Sequence, residues 1–344
     1  MCCLFGIIDY GHSLTAEQKN RMTSVLATAC EARGTDATGI AYNSHGKLTI
    51  YKRPLPGHRM RFRIPEDAQI IMGHTRMTTQ GSAGKNYNNH PFLGSTKEGV
   101  FALAHNGVLH NDGYLRRSLG LPKTKIETDS YIAVQLIEQK KALNPDSLRY
   151  MAEQVEGSFT FTVLDQRNNL HIVKGDNPMC LYHFPAFGLY LYTSTEEIMR
   201  MALPKLRLSP KKAVKTRANS GEILRIDRAG NLTRSQFDDS HLFSGWFGPM
   251  WHIHTEARKG LPYPHFLCRI PTWRKSSQWP PPLDIPLRLS TDWRLWDSRR
   301  KSWRNFYTVV SCDRLTNAKK DSPIQGESFL ASIAIKKVFR SCSA

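Results

Sequence analysis

Through the first two-thirds of the chain, apolar residues gather in short blocks separated by Gly, Asn, Asp and Pro. The block CLFGIIDY (3–10) is almost wholly apolar and reads as a buried strand. Thr15 and Gln18 form a capping-box pattern, which predicts a helix running to about Ala32 and ended by Gly34. Strand patterns follow at 38–43, 47–53, 68–76 and 99–106. Asp129 to Lys141 and Ser147 to Val155 have helical spacing. Strands are predicted again at 158–165, 169–175 and 188–194, then a short helix at 195–203 and a strand at 221–227. Strands outnumber helices and arrive in hairpin-like blocks, without βαβ alternation. The expected class is α+β, with antiparallel sheets covered by helices. No internal repeat is present.

The pattern degrades near residue 237. From 246 to 304 no helical or strand period is sustained, and prolines interrupt any that begins. All seven tryptophans fall between Trp246 and Trp303, and nine of the 19 prolines lie beyond residue 236. Two kinds of sequence meet here, which predicts a domain over 2–236 and a basic Trp/Pro-rich extension over 237–344. Only SFLASIAIKKVF (328–339) in the extension has a convincing amphipathic spacing. Its composition fits three readings: a small accessory domain, a disordered extension, or aberrant coding sequence.

Composition narrows the class. With 344 residues, 40% hydrophobic and 22% charged, the chain can bury a sizeable core. No run of about 18 apolar residues exists, so no membrane span is expected. The net charge of +19 is diffuse. Residues 1–236 carry 31 basic and 20 acidic side chains, and residues 237–344 carry 17 and 9. That spread points to solubility before nucleic-acid binding. The Arg–Trp interleaving from Trp293 to Arg304 could stack on single strands, but no nucleic-acid motif accompanies it. Seven irregularly spaced cysteines and no basic n-region before the first apolar run predict reduced thiols in the cytoplasm.

Candidate chemistry begins at Cys2. Removal of Met1 would leave a thiol and an α-amine on one residue, and an amine of pKa about 7.7–8.0 is a base poised near neutrality. Alone this is a weak signal. Further along the chain come RGTDATGIAY (33–42), GHTRMTTQG (73–81), NNHPF (88–92), LAHNGVLHN (103–111), ETDSYIA (127–133) and TSTEE (193–197).

With MCCLFGI at the start, this ordered series resembles the class II glutamine amidotransferase domain, an N-terminal-nucleophile hydrolase family reading MCGIFGI, RGPDSxG, GHTRWATHG, NAHPH, HNGxxxN and TDTE. The resemblance covers roughly residues 2–236 and implies a four-layer αββα sandwich. It implies that Cys2 is the nucleophile on the glutamine carboxamide. Asn106 and Gly107 match the oxyanion hole, and Arg33 matches an arginine supporting the nucleophile and the HNG turn. Arg76 matches the grip on the substrate α-carboxylate and Asp129 the partner of its α-ammonium. Thr79 and His90 match positions lining the glutamine pocket, and Met77 to Lys85 a loop closing over it. The chemistry agrees with this set: free glutamine asks for one cation, one anion and oxyanion donors.

The departures are Cys3 for the family's glycine, Met77 for its tryptophan and Gln80 for its histidine. The last two bear on ammonia transfer more than on hydrolysis. GSAGK (81–85) fails the phosphate-loop pattern, and His74, His90 and His105 lack metal-ligand spacing, as does the lone pair His252 and His254. No metal or organic cofactor is expected. Nothing after residue 237 resembles an ammonia-using domain, so the expected arrangement is a stand-alone domain acting on L-glutamine, with a separate ammonia-accepting synthetase as partner. Two other readings are an amidase of the same fold on a different amide, and a non-catalytic glutamine-sensing protein.

Overall fold

The computed structural model describes residues 2–243 and the backbone of 293–297 and 302–306. The chain divides into two units, Met1–Arg258 and Lys259–Ala344.

The elements of the first unit are β1 (Cys3–Asp9), α1 (Ala16–Cys30), β2 (Ala37–Ser44), β3 (Lys47–Arg53), β4 (Ile70–Arg76), β5 (Phe92–Thr96) and β6 (Gly99–Leu109). Then come α2 (Asp112–Ser118), α3 (Tyr131–Gln139), α4 (Pro145–Gln154), β7 (Gly157–Asp165), β8 (Leu170–Lys174), β9 (Cys180–Phe184) and β10 (Leu189–Thr193). The unit closes with α5 (Glu196–Ala202), β11 (Val214–Thr216), β12 (Glu222–Ile226) and β13 (Leu232–Gln236). Seven strands form one sheet in the order β11-β9-β10-β1-β4-β2-β3, and six form another in the order β13-β12-β8-β7-β6-β5. Every pairing is antiparallel.

The alternation of side chains assigns the layers. On β1, Cys3, Phe5 and Ile7 join a core with Leu26, Ala27 and Cys30 of α1 and Ile198 and Met199 of α5. Leu4 and Ile8 point the other way, into a core shared with Ile70 and Met72 of β4, Ala102 and Ala104 of β6 and Leu224 of β12. Phe101 and Leu103 of β6 face a third core with Ile132, Leu136, Leu148 and Met151 of α3 and α4. Two helical layers therefore sandwich two sheets, the αββα arrangement of an α+β fold. Phe237 and Leu242 also lie in this third core.

Local signals explain most boundaries. Thr15 and Gln18 make both bonds of the capping box. The helix ends at Cys30, earlier than Gly34, because Ala32 and Arg33 already fold back in tight turns on Ala29 and Cys30. The second predicted helix begins at Tyr131, two residues after Asp129. The third begins at Pro145, two before Ser147, because Asn144 caps it. HNG lies within a strand: β6 continues through it to Leu109, paired with β7. The pieces β5, β9, β11, β13 and α2 were not expected from the pattern.

The extension departs from expectation at one place. Where no period was expected, Trp293–Asp297 (β14) pairs antiparallel with Ser302–Phe306 (β15), with Trp296 opposite Trp303. The amphipathic segment 328–339 and the histidines 252 and 254 lie outside the described residues.

Candidate active site

Parity on β1, β4 and β6 brings Cys2, Arg76 and Asn106 together. Leu4, Met72 and Ala104 face the layer between the sheets. Cys2, His74, Arg76 and Asn106 continue those rows at one end of it. The start of β1 is fixed there by Ser194, from the TSTEE segment, whose Oγ accepts from Leu4 N at 2.8 Å.

Cys2 is buried, and its thiol donates to Met77 O over 3.5 Å. Burial pushes the thiol pKa up, so it rests protonated and needs a base. Arg33 links it to β6. Its Nε donates to Cys2 O at 2.9 Å and its Nη2 to Asn106 Oδ1 at 3.4 Å. With Oδ1 held this way, Asn106 Nδ2 is a buried donor that has no partner among the described residues. Asn177 Nδ2 braces the next group, donating to Asn106 O at 3.0 Å and Ser158 Oγ at 2.7 Å. Gly107 follows with φ +152°, and a Cβ there would lie 1.8 Å from Ser158 O. Only glycine fits, and it leaves its N–H beside the Asn106 amide.

Arg76 ends β4, buried. Its guanidinium donates to Asn89 Oδ1 at 2.7 Å, Gln80 O at 2.6 Å and Gly81 O at 3.2 Å. Among the described residues no ion pair neutralises it, and burial lowers its pKa from the ordinary arginine value. Asp129, also buried, accepts from Leu109 N at 2.7 Å and Ser130 Oγ at 3.3 Å. The charges of Arg76 and Asp129 both act on the Cys2 thiol, the first lowering and the second raising its pKa. A thiol, a cation that makes no ion pair among the described residues, an anion and an amide donor thus lie within electrostatic reach of one another or are joined through Arg33.

Near Arg76, His90 packs against His74 with ring centroids 4.2 Å apart and the planes tilted by 36°, and both its ring nitrogens are unpartnered among the described residues. His74 Nε2 meets His105 O at 3.0 Å, and His105 Nδ1 meets Ser130 Oγ at 2.8 Å. Burial holds all three imidazoles neutral. It drives His74 to a pKa of about 3, His90 well below its usual value, and His105 down as well. Among the described residues no cluster of His, Cys, Asp and Glu suits a metal ion.

The Met77–Lys85 loop is anchored on several sides. Thr78 N donates to Asp36 Oδ2 at 2.7 Å, and Asn89 Nδ2 to Ala83 O at 2.8 Å. Asn88 Nδ2 donates to Ser82 O at 3.2 Å, and Lys85 pairs with Glu127. Gly34 allows this anchoring, since a Cβ there would meet Arg76 C at 2.5 Å. Thr79 is exposed on the loop, and Met77 is half exposed. The sequence reading missed Asp36, Asn89, Asn177 and Ser130. It also missed Lys52, whose Nζ donates to Asn89 O at 2.5 Å and Pro91 O at 3.0 Å, and whose pKa burial lowers to about 8. Asp36 and Asn89 sit inside the RGTDATG and NNHPF segments, which were the available signal.

No family model matches the chain. Among curated relatives it is 26% identical over 207 residues to 7-cyano-7-deazaguanine synthase of Saccharolobus solfataricus, covering 57% of this chain and 43% of the relative. It is 30% identical over 159 residues to glutamine--fructose-6-phosphate aminotransferase (isomerizing) of Bacillus licheniformis, covering 43% and 26%. The chain thus spans less than half the length of these relatives. Among solved structures, the glutamine phosphoribosylpyrophosphate (PRPP) amidotransferase of B. subtilis, complexed with ADP and GMP, matches with a TM-score of 0.56 at 20% identity. That match covers 69% of this chain and 49% of that one, and it speaks for the shared fold.

Proposed function

On the premise that this chain is a homologue of the class II, N-terminal-nucleophile glutamine amidotransferases, we propose that it hydrolyses L-glutamine to L-glutamate and ammonia through a thioester on Cys2. The observation that carries this reading is the Asn106 amide: buried, held on one side by the same Arg33 that holds the Cys2 carbonyl, with its Nδ2 unspent. A buried donor without an acceptor costs free energy in the resting protein, and an oxyanion forming beside Cys2 would recover it.

In this reading Met1 is removed and the Cys2 α-amine takes the thiol proton, directly or through a water. The thiolate attacks the side-chain carboxamide carbon. The tetrahedral oxyanion accepts from Asn106 Nδ2 and the Gly107 N–H. The intermediate collapses as the C–N bond breaks, and the α-ammonium returns its proton to the departing ammonia. A γ-glutamyl thioester remains, and water, deprotonated by the same amine, cleaves it to glutamate. Arg76, which makes no ion pair among the described residues, supplies a fork for the substrate α-carboxylate, and Asp129 receives its α-ammonium. No resident metal or organic group enters these steps.

The ammonia goes to a separate acceptor enzyme, and that enzyme is a partner of this chain. The reading is tested by glutamate release from L-glutamine by protein without Met1, beside Cys2→Ala. Release that survives the substitution would overturn it.

A further inference from the structure

Cys3, the residue after the proposed nucleophile, has its sulfur 2.9 Å from that of Cys30 at the end of α1. Both side chains are fully buried and both are free thiols. We infer that Cys3 and Cys30 form a reversible thiol–disulfide modification site for small hydroperoxides.

The main chain holds the pair in register. Cys3 lies opposite Thr75 on β4, and Thr75 Oγ1 donates to Cys30 O at 3.1 Å. A disulfide needs sulfurs about 2.05 Å apart, so closure asks for a shift of less than about 1 Å. In the row of β1 side chains turned toward α1, Cys3 packs with Phe5 and Ile7, away from the side on which Cys2 continues the row of Leu4. The two thiols are therefore distinct in environment from the proposed nucleophile. Burial, and then the contact with Cys3, hold the Cys30 proton on, leaving Cys3 as the attacking sulfur.

The chemistry balances with a hydroperoxide as oxidant. Cys3 sulfur attacks the terminal oxygen and the O–O bond breaks. The thiol proton leaves with the alcohol, or with water when the oxidant is hydrogen peroxide, and Cys3 becomes a sulfenic acid. Cys30 sulfur then displaces the hydroxyl, which departs as water with the Cys30 proton. Both thiols are oxidised and the peroxide is reduced. Burial restricts the site to small oxidants and makes the reaction slow.

The bond would act on the neighbouring site through Arg33. The Arg33 N–H donates to Cys30 O at 3.0 Å, and its side chain holds Cys2 O and Asn106 Oδ1. A pull on Cys30 therefore moves the support of both. This consequence rests on the proposed function; the disulfide itself does not.

The test uses full-length Cys2→Ala protein, which removes the competing thiol. It is treated with hydrogen peroxide, alkylated after denaturation, digested and mapped by mass. The expected product joins the peptide holding Cys3 to the one holding Cys30, is two hydrogens lighter, and is undone by dithiothreitol. It should also raise Tm by several degrees. Adding Cys30→Ser should remove both link and shift. Recovery of Cys3 and Cys30 fully alkylated would overturn the inference, as would Cys30 linked only to other cysteines. In the wild type, with Cys2 recovered alkylated and the Cys3–Cys30 link mapped, glutamate release that stays lost after arsenite, which reduces sulfenic acids but not disulfides, and returns with dithiothreitol ties the bond to the site. A mapped bond with unchanged release refutes that coupling alone.

Discussion

The guanidinium of Arg33 donates to the main-chain carbonyl of Cys2 across 2.9 Å, joining the turn after α1 to the residue that precedes β1. The same side chain reaches Asn106, so it sets the thiol and the amide donor relative to each other. Replacing it by lysine keeps the charge and loses the fork. Arg33→Lys is expected to lower kcat about tenfold or more, with KM for glutamine changed far less. A KM effect alone, at unchanged kcat, would contradict this role.

Asn106 is the group asked to act only when charge develops. Asn106→Ala should cost about 10²–10³ in kcat with substrate affinity nearly kept, since one oxyanion donor is worth about 3–4 kcal/mol. Glutamine binding measured in a Cys2→Ala background separates the two effects. A binding loss matching the rate loss would move Asn106 from oxyanion to ground-state recognition.

Arg76 and Asp129 are expected to behave differently from Asn106. Arg76→Lys should raise KM about 10–100-fold with a smaller change in kcat, because a bidentate grip on a carboxylate gives way to a point charge. Asp129→Asn keeps an acceptor for Leu109 N and loses the negative charge, so Tm should hold while KM rises. A collapse of Tm in Asp129→Asn would show that its charge is structural.

Gly107→Ala tests geometry without reference to substrate. The added Cβ would meet Ser158 O at 1.8 Å on a backbone with φ +152°, so strand β6 must shift against β7. The expected loss is more than about 3 kcal/mol, seen as a large fall in Tm. An alanine variant as stable as the parent would contradict the placement of HNG within the strand.

The buried imidazoles predict acid sensitivity. His74 is held at a pKa of about 3 against an unfolded value of 6.5, and His90 and His105 are depressed as well, burial being the main cause in each. Below pH 6.5 the unfolded chain binds protons that the folded one refuses, so stability falls as pH drops from 6.5 toward 3. Each such group adds roughly 1.4 kcal/mol per pH unit within its window. Tm should decline steeply from pH 6.5 to 4.5, and less so in His90→Asn. A flat Tm over that interval would contradict neutral burial.

Much of the site was legible because the sequence writes it in short, ordered segments. Cys2, Arg76 and Asn106 each fall in one of these segments, just before β1, at the end of β4 and within β6. The roles of Asn89, inside the quoted NNHPF segment, and of Asn177 were not legible. Each residue is an asparagine among other polar loop residues, and its task, bracing Arg76 or Asn106, exists only once the chain has folded. The strand β9 was not predicted, and β14 and β15 lie in a stretch rich in Arg and Trp where no alternation is sustained. HNG reads as a turn locally. Pairing with β7 overrides that, at the expense of a positive φ that glycine alone tolerates.

The most direct test is the covalent intermediate. Protein without Met1 is mixed with L-glutamine, quenched in acid, and its N-terminal peptide weighed. The account predicts a glutamyl adduct on Cys2 that forms before glutamate accumulates and is absent from Cys2→Ala and from protein retaining Met1. Glutamate formed without any adduct, or formed equally well by Cys2→Ala, would contradict it.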